Sequence, residues 1–334
     1  MFFNRYFNFL LLFSLCFSCN SEKNKDILVL NSGKTQGTFY HIKYLSSEGK
    51  NYQYEIDSLL LLVDNSLSTY NENSLISKIN SGKQVITDSL FRTVFRNAKE
   101  VFKSSNGLFD CSIAPLVNAW GFGFSEKESM DSSRVKNLLK IVDFEKIYLR
   151  NDSIIKPKKM LIDFNAIAQG YTVDLIAYLF NQKGITNYLI EVGGEIRSKG
   201  INADDKIWKI GVDKPTESID SKDRFQFILE LNNKSLATSG NYRKFYIENG
   251  IKYSHVINPK TGFPAKNKLL SVTVIHNDCI TADAYATAFM LMGLQMSKDF
   301  LSKRKDLEAY FIYSNKKGEF ENYVTDNFSK RIIN

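Results

Sequence analysis

Cysteine, histidine and long apolar runs are all scarce in this chain of 334 residues, and each scarcity removes a class of function. Of four cysteines, Cys16 and Cys19 lie in the N-terminal segment, which leaves only Cys111 and Cys279 in the body. They form no CxxC and no dense spacing pattern, so a disulfide framework is excluded. The two read either as one bridge or, as better suits their isolation, as small buried hydrophobes. Three histidines, at 41, 255 and 276, show no ligand spacing with each other or with the cysteines, which excludes a standard zinc site. The chain also lacks a concentrated basic stripe: 44 Lys and Arg exceed 36 Asp and Glu by eight, but they are scattered. The densest clusters, Lys156-Pro157-Lys158-Lys159 and Lys303-Arg304-Lys305, are short, and a solvated turn and a helix end account for them. A nucleic-acid groove is therefore excluded, while the mild positive excess could help to attract an anionic small molecule. No internal repeat occurs, and no low-complexity linker follows residue 26. A chain that is 43% hydrophobic and 24% charged is neither a disordered tail nor a polytopic membrane protein.

The first residues read as targeting. Asn4 and Arg5 precede an apolar run from Phe7 to Phe17, then Ser18-Cys19 and the polar stretch Asn20 to Asp26. The run is too short to span a bilayer permanently, and its order of charge, apolar core and small residue is that of a secretory signal. The layout resembles a bacterial lipoprotein signal in which Cys19 is lipidated and becomes the mature N-terminus, although Cys16 stands where such signals usually carry Leu. An ordinary signal peptide cleaved nearby is the alternative, and it too would export the protein. The boundaries expected are a signal over 1–18, a lipidated Cys19 with a tether over 19–33, and a folded domain over 34–334.

Residues 27–45 alternate apolar and polar positions and read as a strand pair. Ile56, Leu59, Leu60, Val63 and Leu67 recur at helical spacing, as do Phe91, Val94, Phe95, Ala98, Val101 and Phe102, and both stripes are core faces. Short strands are expected between 143 and 163, a helix over Ile167 to Lys183 stopped by Gly184, and a strand over Thr186 to Val192. Trp208 to Val212, Phe225 to Leu231 and Leu270 to Ile275 read as strands, and Thr281 to Leu294 as an Ala-rich helix. The mixture predicts one compact α+β unit, as a single body or two lobes, without a clean internal boundary.

Chemistry concentrates in loops. Ser68-Thr69-Tyr70 follows the first helix, Gly107-Leu108-Phe109-Asp110 follows the second, and Asp163 to Gly170 opens a helix whose free amides favour anions. Each alone is equally a helix exit, a turn or a cap. Thr238-Ser239-Gly240-Asn241-Tyr242 and Ser254-His255-Val256-Ile257-Asn258-Pro259-Lys260-Thr261-Gly262 are sharper, because hydroxyls and a histidine fall at strand ends. His255 is a candidate base or a hydrogen-bonded structural residue. Asp283 and Thr287, four apart on a helix, face the same way and can share a hard cation; the plainer role for Asp283 is an early-turn dipole residue.

In this order, Gln36-Gly37-Thr38, Ser-Thr-Tyr, Gly-x-Phe-Asp, Pro-Leu-Val-Asn-x-Trp-Gly-Phe-Gly, Asp-x-x-Ala-x-Ala-x-Gly-Tyr-x-x-Asp, Val-Gly-Gly-Glu-Ile, Thr-Ser-Gly-Asn-Tyr, Ser-His-Val-Ile-Asn-Pro-x-Thr-Gly and Ala-Asp-Ala-x-Ala-Thr-Ala resemble the ApbE family of FAD:protein FMN transferases, from about residue 34 to the C-terminal region. The resemblance implies a T-fold-related α+β domain and an exported, membrane-anchored lipoprotein facing the periplasm. It implies an enzyme that splits FAD, links FMN through a phosphoester to a Thr or Ser of a target flavoprotein and releases AMP. It implies Mg²⁺ held by Asp283, Thr287 and the Ala166 carbonyl, with His255 as base. Gln36, Ser68, Thr69, Tyr70, Leu108, Phe109, Asp110, Asp163, Gln169 and Ile257 match positions around FAD. Two residues depart from the family pattern: Gln169 stands where many members have Lys, and Gln36 where many have Met. Hydrolysis of FAD to FMN and AMP is the second reading, and a non-catalytic flavin-binding or adhesion-type surface lipoprotein the third.

Overall fold

The computed structural model describes residues 26–123, 126–215, 224–241, 245–248 and 251–333. The signal segment, Cys19 and Tyr242 lie outside the described residues. The first half comprises β1 (Ile27–Thr35), β2 (Thr38–Ser46), α1 (Gln53–Leu67), α2 (Leu75–Asn80), α3 (Ser89–Ser104), α4 (Ala114–Ala119), α5 (Ser132–Leu139), β3 (Tyr148–Arg150), β4 (Ser153–Ile155) and α6 (Ala168–Gln182). The second comprises β5 (Tyr188–Val192), β6 (Glu195–Lys199), β7 (Trp208–Asp213), β8 (Phe225–Leu231), β9 (Lys234–Gly240), β10 (Phe245–Glu248) and β11 (Ile251–Ser254). It ends with β12 (Leu269–His276), α7 (Cys279–Leu301), β13 (Glu308–Ser314), β14 (Phe320–Val324), α8 (Asp326–Ser329) and β15 (Ile332–Ile333). Regular structure thus opens at Ile27, ahead of the residue 34 expected for the domain start, because residues 27–35 pair with β2 along their whole length.

An eight-stranded antiparallel sheet runs in the order β1-β2-β5-β6-β9-β12-β13-β14, and β15-β8-β7 form a smaller sheet. The central strands bury both faces, and the two-residue period of a strand sorts their side chains. Leu236 of β9 and Tyr310 and Ile312 of β13 meet Ile210, Val212, Leu229 and Leu231 of the small sheet. Their neighbours Ala237, Ala309 and Phe311 turn to the opposite face, where α7 and α3 pack. At the β2–β5 end, Tyr40, Ile42, Tyr188 and Ile190 are covered by α6 and α1. The helices form where the apolar stripes predict: Phe91, Val94, Phe95, Ala98, Val101 and Phe102 all face inward from α3, and the Asp88 carboxylate caps it by accepting from the Phe91 N–H at 2.7 Å. The large sheet is thus covered by helices on one face and by the small sheet on the other, and the body is a single mixed α+β domain.

One local feature bounds the helix that carries Asp283 and Thr287. α7 kinks at Gly293 (φ 74°), so the Ala-rich segment ahead of it is a straight helix, in keeping with the expected end near Leu294. Cys111 and Cys279 are free, buried thiols. No helix among the described residues is long and apolar enough to cross a membrane.

Candidate active site

The first turns of α7 meet the first turn of α6, and this contact places the acidic part of the site. Asp174 of α6 accepts from the backbone N–H groups of Cys279 at 3.0 Å and Ile280 at 2.9 Å, so a carboxylate from one helix caps the other. Arg197 of β6 pairs with Asp174 and reaches Asp278 at 3.7 Å, which ties the cap to the sheet. One turn further along α7, Asp283 Oδ2 accepts from the Gly170 N–H at 3.0 Å. The helices can approach this closely because residue 170 has no side chain: a Cβ there would fall 2.5 Å from the Cys279 carbonyl oxygen and 2.7 Å from the Asp283 Cβ. Gly170→Ala is expected to lower stability by about 1–3 kcal/mol, the usual range for overpacking, and a denaturant melt reads it. An unchanged midpoint would mean that the helix contact is loose.

Asp283 is only 7% exposed, and burial pushes its carboxyl up, to about 7, against the lowering effect of the Gly170 N–H. Thr287 lies four residues on, its hydroxyl 3.1 Å from that of Ser239 in β9. Both line a cavity of about 870 Å³. That volume is at the upper end for small-molecule sites and suits a ligand as large as a dinucleotide.

Loops close the cavity on two other sides. Leu108, Phe109 and Asp110 line it, and so do Asp163, Ala166 and Gln169. The Asp110 carboxylate is already engaged: it accepts from the Ser112 N–H at 2.7 Å, the Ser112 hydroxyl at 2.5 Å and the Phe144 N–H at 3.2 Å, while burial pushes its pKa up. It therefore shapes the loop that presents Leu108 and Phe109. Asp163 also caps a turn, accepting from the Asn165 N–H at 2.7 Å, and its own N–H reaches the Cys111 carbonyl at 2.8 Å. These bonds hold the 108–111 and 163–167 loops together. Gln169 approaches Gly193 so closely that a Cβ at residue 193 would lie 2.9 Å from its Nε2.

Three residues matched to FAD positions stand off the cavity wall. Gln36 and Gly37 form a two-residue hairpin turn with φ of 49° and 72°, and this conformation sends the Gln36 amide to the Thr172 hydroxyl at 2.6 Å. Ser68 uses its carbonyl to accept from the Ser74 hydroxyl at 2.7 Å, and the Thr69 hydroxyl is buried without a hydrogen-bond partner. Their neighbour Tyr70 does line the cavity, and at 72% exposure it offers a ring face at the mouth.

His255 follows β11 and lines the cavity with Val256 and Ile257. The sequence after it builds a tight reversal. Asn258 Oδ1 accepts from the Lys260 N–H at 2.8 Å, the Gly262 N–H bonds the Asn258 carbonyl at 2.7 Å, and the Ala265 N–H bonds the Val256 carbonyl at 2.8 Å. Trp120 donates its indole N–H to the Gly262 carbonyl at 2.8 Å. Asn258, Thr261, whose hydroxyl accepts from the Phe263 N–H at 3.3 Å, and Gly262 are thus explained as scaffold, and the same scaffold fixes the segment that carries His255. The imidazole sits edge-on to Phe122, ring centres 6.3 Å apart.

Reading the sequence did not single out Glu195, Asp174 or Arg197 as site residues, although the Gly-Gly-Glu and Gly-Tyr-x-x-Asp motifs contain the two acids. Glu195 lines the cavity, is 7% exposed and leaves its buried Oε2 without a hydrogen-bond partner. Burial pushes its carboxyl far up, and the charges that push it further are Asp283 and Glu191, both acidic. A divalent cation with oxygen ligands fits this environment: two buried carboxylates, a hydroxyl and the half-buried Ala166 line one cavity. At the mouth, Glu191 joins His41 Nδ1 at 2.8 Å and accepts from the Gly194 N–H at 2.9 Å.

The chain shares this architecture with proteins of known kind. The pattern of the ApbE family matches residues 36–311. An FAD:protein FMN transferase of Vibrio cholerae is 37% identical over 277 residues, which cover 78% of this chain and 80% of that protein. Another, from Haemophilus influenzae, is 34% identical over 308 residues, covering 87% and 88%. The solved structure of the flavin transferase ApbE from Vibrio cholerae superposes with a TM-score of 0.83 at 32% identity, covering 92% of this chain and 99% of that one. With the motifs in order along one chain, the family pattern over residues 36–311 and the fold shared over 92% of the chain, the protein belongs to the ApbE family.

Proposed function

We infer that this protein is an FAD:protein FMN transferase, a transferase that links FMN through a phosphoester to a Thr or Ser hydroxyl of a target flavoprotein and releases AMP. The observation that carries the reading is convergence. A histidine on a braced loop, an acid and a hydroxyl on α7, and the 108–110 and 163–169 loops all border one cavity of dinucleotide size. The activity of the similar proteins supports the same conclusion.

In this reading the FAD pyrophosphate lies near Asp283 and Thr287, with Tyr70, Leu108, Phe109 and Ile257 giving apolar surface to the flavin and adenine. Asp283, Thr287 and the Ala166 carbonyl would hold Mg²⁺, which when bound would neutralise phosphate charge. His255 takes the proton of the acceptor hydroxyl on an imidazole nitrogen as that oxygen bonds to the FMN phosphorus. The bond from this phosphorus to the bridging oxygen breaks, and AMP leaves with the electron pair. Phosphoryl transfer of this kind depends on positioning and charge, which the braced loop and the capped helix provide.

The test mixes the protein with FAD, Mg²⁺ and flavoprotein domains bearing a candidate Thr or Ser, and reads covalent flavin by in-gel fluorescence. Signal on the domain, lost when its hydroxyl is replaced by alanine, is expected; free FMN with no labelled domain would favour hydrolysis. The N-terminal layout carries a separate proposal, an exported lipoprotein anchored through Cys19 and facing the periplasm. A fatty-acid analogue fed to cells should mark the native chain and not Cys19→Ala, and equal labelling of both would dismiss the anchor.

A further inference from the structure

Glu195 opens β6 directly after Gly193 and Gly194, whose φ angles of 64° and 107° form the turn from β5, and it pairs across that turn with Val192. Strand alternation puts Glu195 and Arg197 on the same face, the one covered by α6 and α7. Arg197 there finds Asp174. Glu195, two residues nearer the strand end, lines the same cavity as Asp283. The acids around the start of α7 are therefore not equally answered. Asp174 has Arg197 and two backbone N–H groups, and Asp283 has the Gly170 N–H. Glu195 Oε2 has no hydrogen-bond partner. A buried carboxylate oxygen left bare in a cavity lined by a second buried carboxylate is costly unless a cation or a proton completes it.

We propose that Glu195 belongs to the divalent-cation site, giving it a second carboxylate beside Asp283. The proposal rests on the reading of Asp283, Thr287 and Ala166 as the groups that hold the cation. Mg²⁺ accepts one or two carboxylates together with waters and phosphate oxygens, so this set leaves room for the pyrophosphate. The alternative is a Glu195 that stays protonated and only fills space, and the isosteric amide separates the two. Glutamine reproduces a neutral carboxylic acid in size and polarity but cannot supply a negative oxygen.

The experiment titrates the purified full domain with Mn²⁺, without FAD, and reads free Mn²⁺ by electron paramagnetic resonance. Glu195→Gln should weaken Mn²⁺ binding by at least roughly 10- to 100-fold, the range for losing even an outer partner of a metal ligand. Asp283→Asn should weaken it further, and Glu191→Gln, which alters a carboxylate at the cavity mouth, should leave it within about twofold of wild type, an allowance that context dependence requires. If Glu195→Gln binds like wild type while Asp283→Asn does not, Glu195 is outside the site and the cation reading stands. If Asp283→Asn binds like wild type, or wild type does not bind Mn²⁺, the cation reading fails and takes the proposal with it. If Glu191→Gln is as weak as Glu195→Gln, the effect is general charge and the proposal is overturned. Melting temperatures without metal report folding of each variant. Should Glu195→Gln not fold, Glu195→Asp, which keeps the charge but withdraws it by one methylene, is expected to fall between wild type and Asp283→Asn, and wild-type affinity in it would count against the assignment.

Discussion

Asp283→Ala is expected to remove cation-dependent turnover, with a loss of at least roughly 10²- to 10³-fold, the scale for deleting one preorganised electrostatic group at a charged transition state. Mg²⁺ takes few protein ligands, so a lost carboxylate is a large share of the site. The structure gives a second reason: Asp283 also accepts the Gly170 N–H, so its removal loosens the join between α6 and α7 as well. Thr287→Ala should cost less, because a water can replace a hydroxyl and Ser239 Oγ already lies 3.1 Å from the Thr287 oxygen. The measurement is AMP release against Mg²⁺ concentration. Wild-type activity of Asp283→Ala at ordinary Mg²⁺ would take Asp283 out of the site.

His255→Ala is expected to lower turnover by roughly 10²- to 10⁴-fold while FAD affinity changes little, the pattern of a general base that acts in the transfer step. A packing role predicts a different outcome. The turn after His255 is held by Asn258, Gly262 and Trp120, so the variant should stay folded and melt close to wild type, with a loss no larger than that of the imidazole's own contacts, the edge-on one to Phe122 among them. A joint fall of stability and flavin binding would make His255 structural. Wild-type rates of transfer in the variant would overturn the assignment outright.

The signals that single out Asp283 and His255 in the sequence are local. Asp283 and Thr287 are four apart in an Ala-rich helix, and His255 sits in a run whose Asn-Pro-x-Thr-Gly turn is local chemistry. The strand pair at 27–45, the stripes of α1 and α3 and the stop at Gly184 were readable for the same reason. Of β9 the sequence shows only the end, at Thr238-Ser239-Gly240, since Lys-Ser-Leu-Ala-Thr-Ser-Gly carries little β-branched or aromatic character, and the strand forms because β6 and β12 pair with it on both sides. Glu195 was missed because its place depends on the register of β6 and on the distance of α7. That distance is set by Asp174 and by the absence of a side chain at Gly170. Gln36 shows the reverse case: the motif was readable, but a left-handed backbone turns its amide toward Thr172 and away from the cavity wall.

The two outcomes open to FAD in such a site, transfer to a hydroxyl or hydrolysis, differ in stoichiometry. Water and the acceptor compete for one phosphorus, and the account holds that His255 is placed for the acceptor. The most direct measurement therefore follows AMP release and covalent flavin together, with FAD and Mg²⁺ saturating, at increasing concentrations of a flavoprotein domain bearing the acceptor Thr or Ser. The account predicts that AMP release rises with the domain and equals the flavin bound to it, mole for mole. AMP and free FMN formed at one rate, whether or not the domain is present, would contradict it.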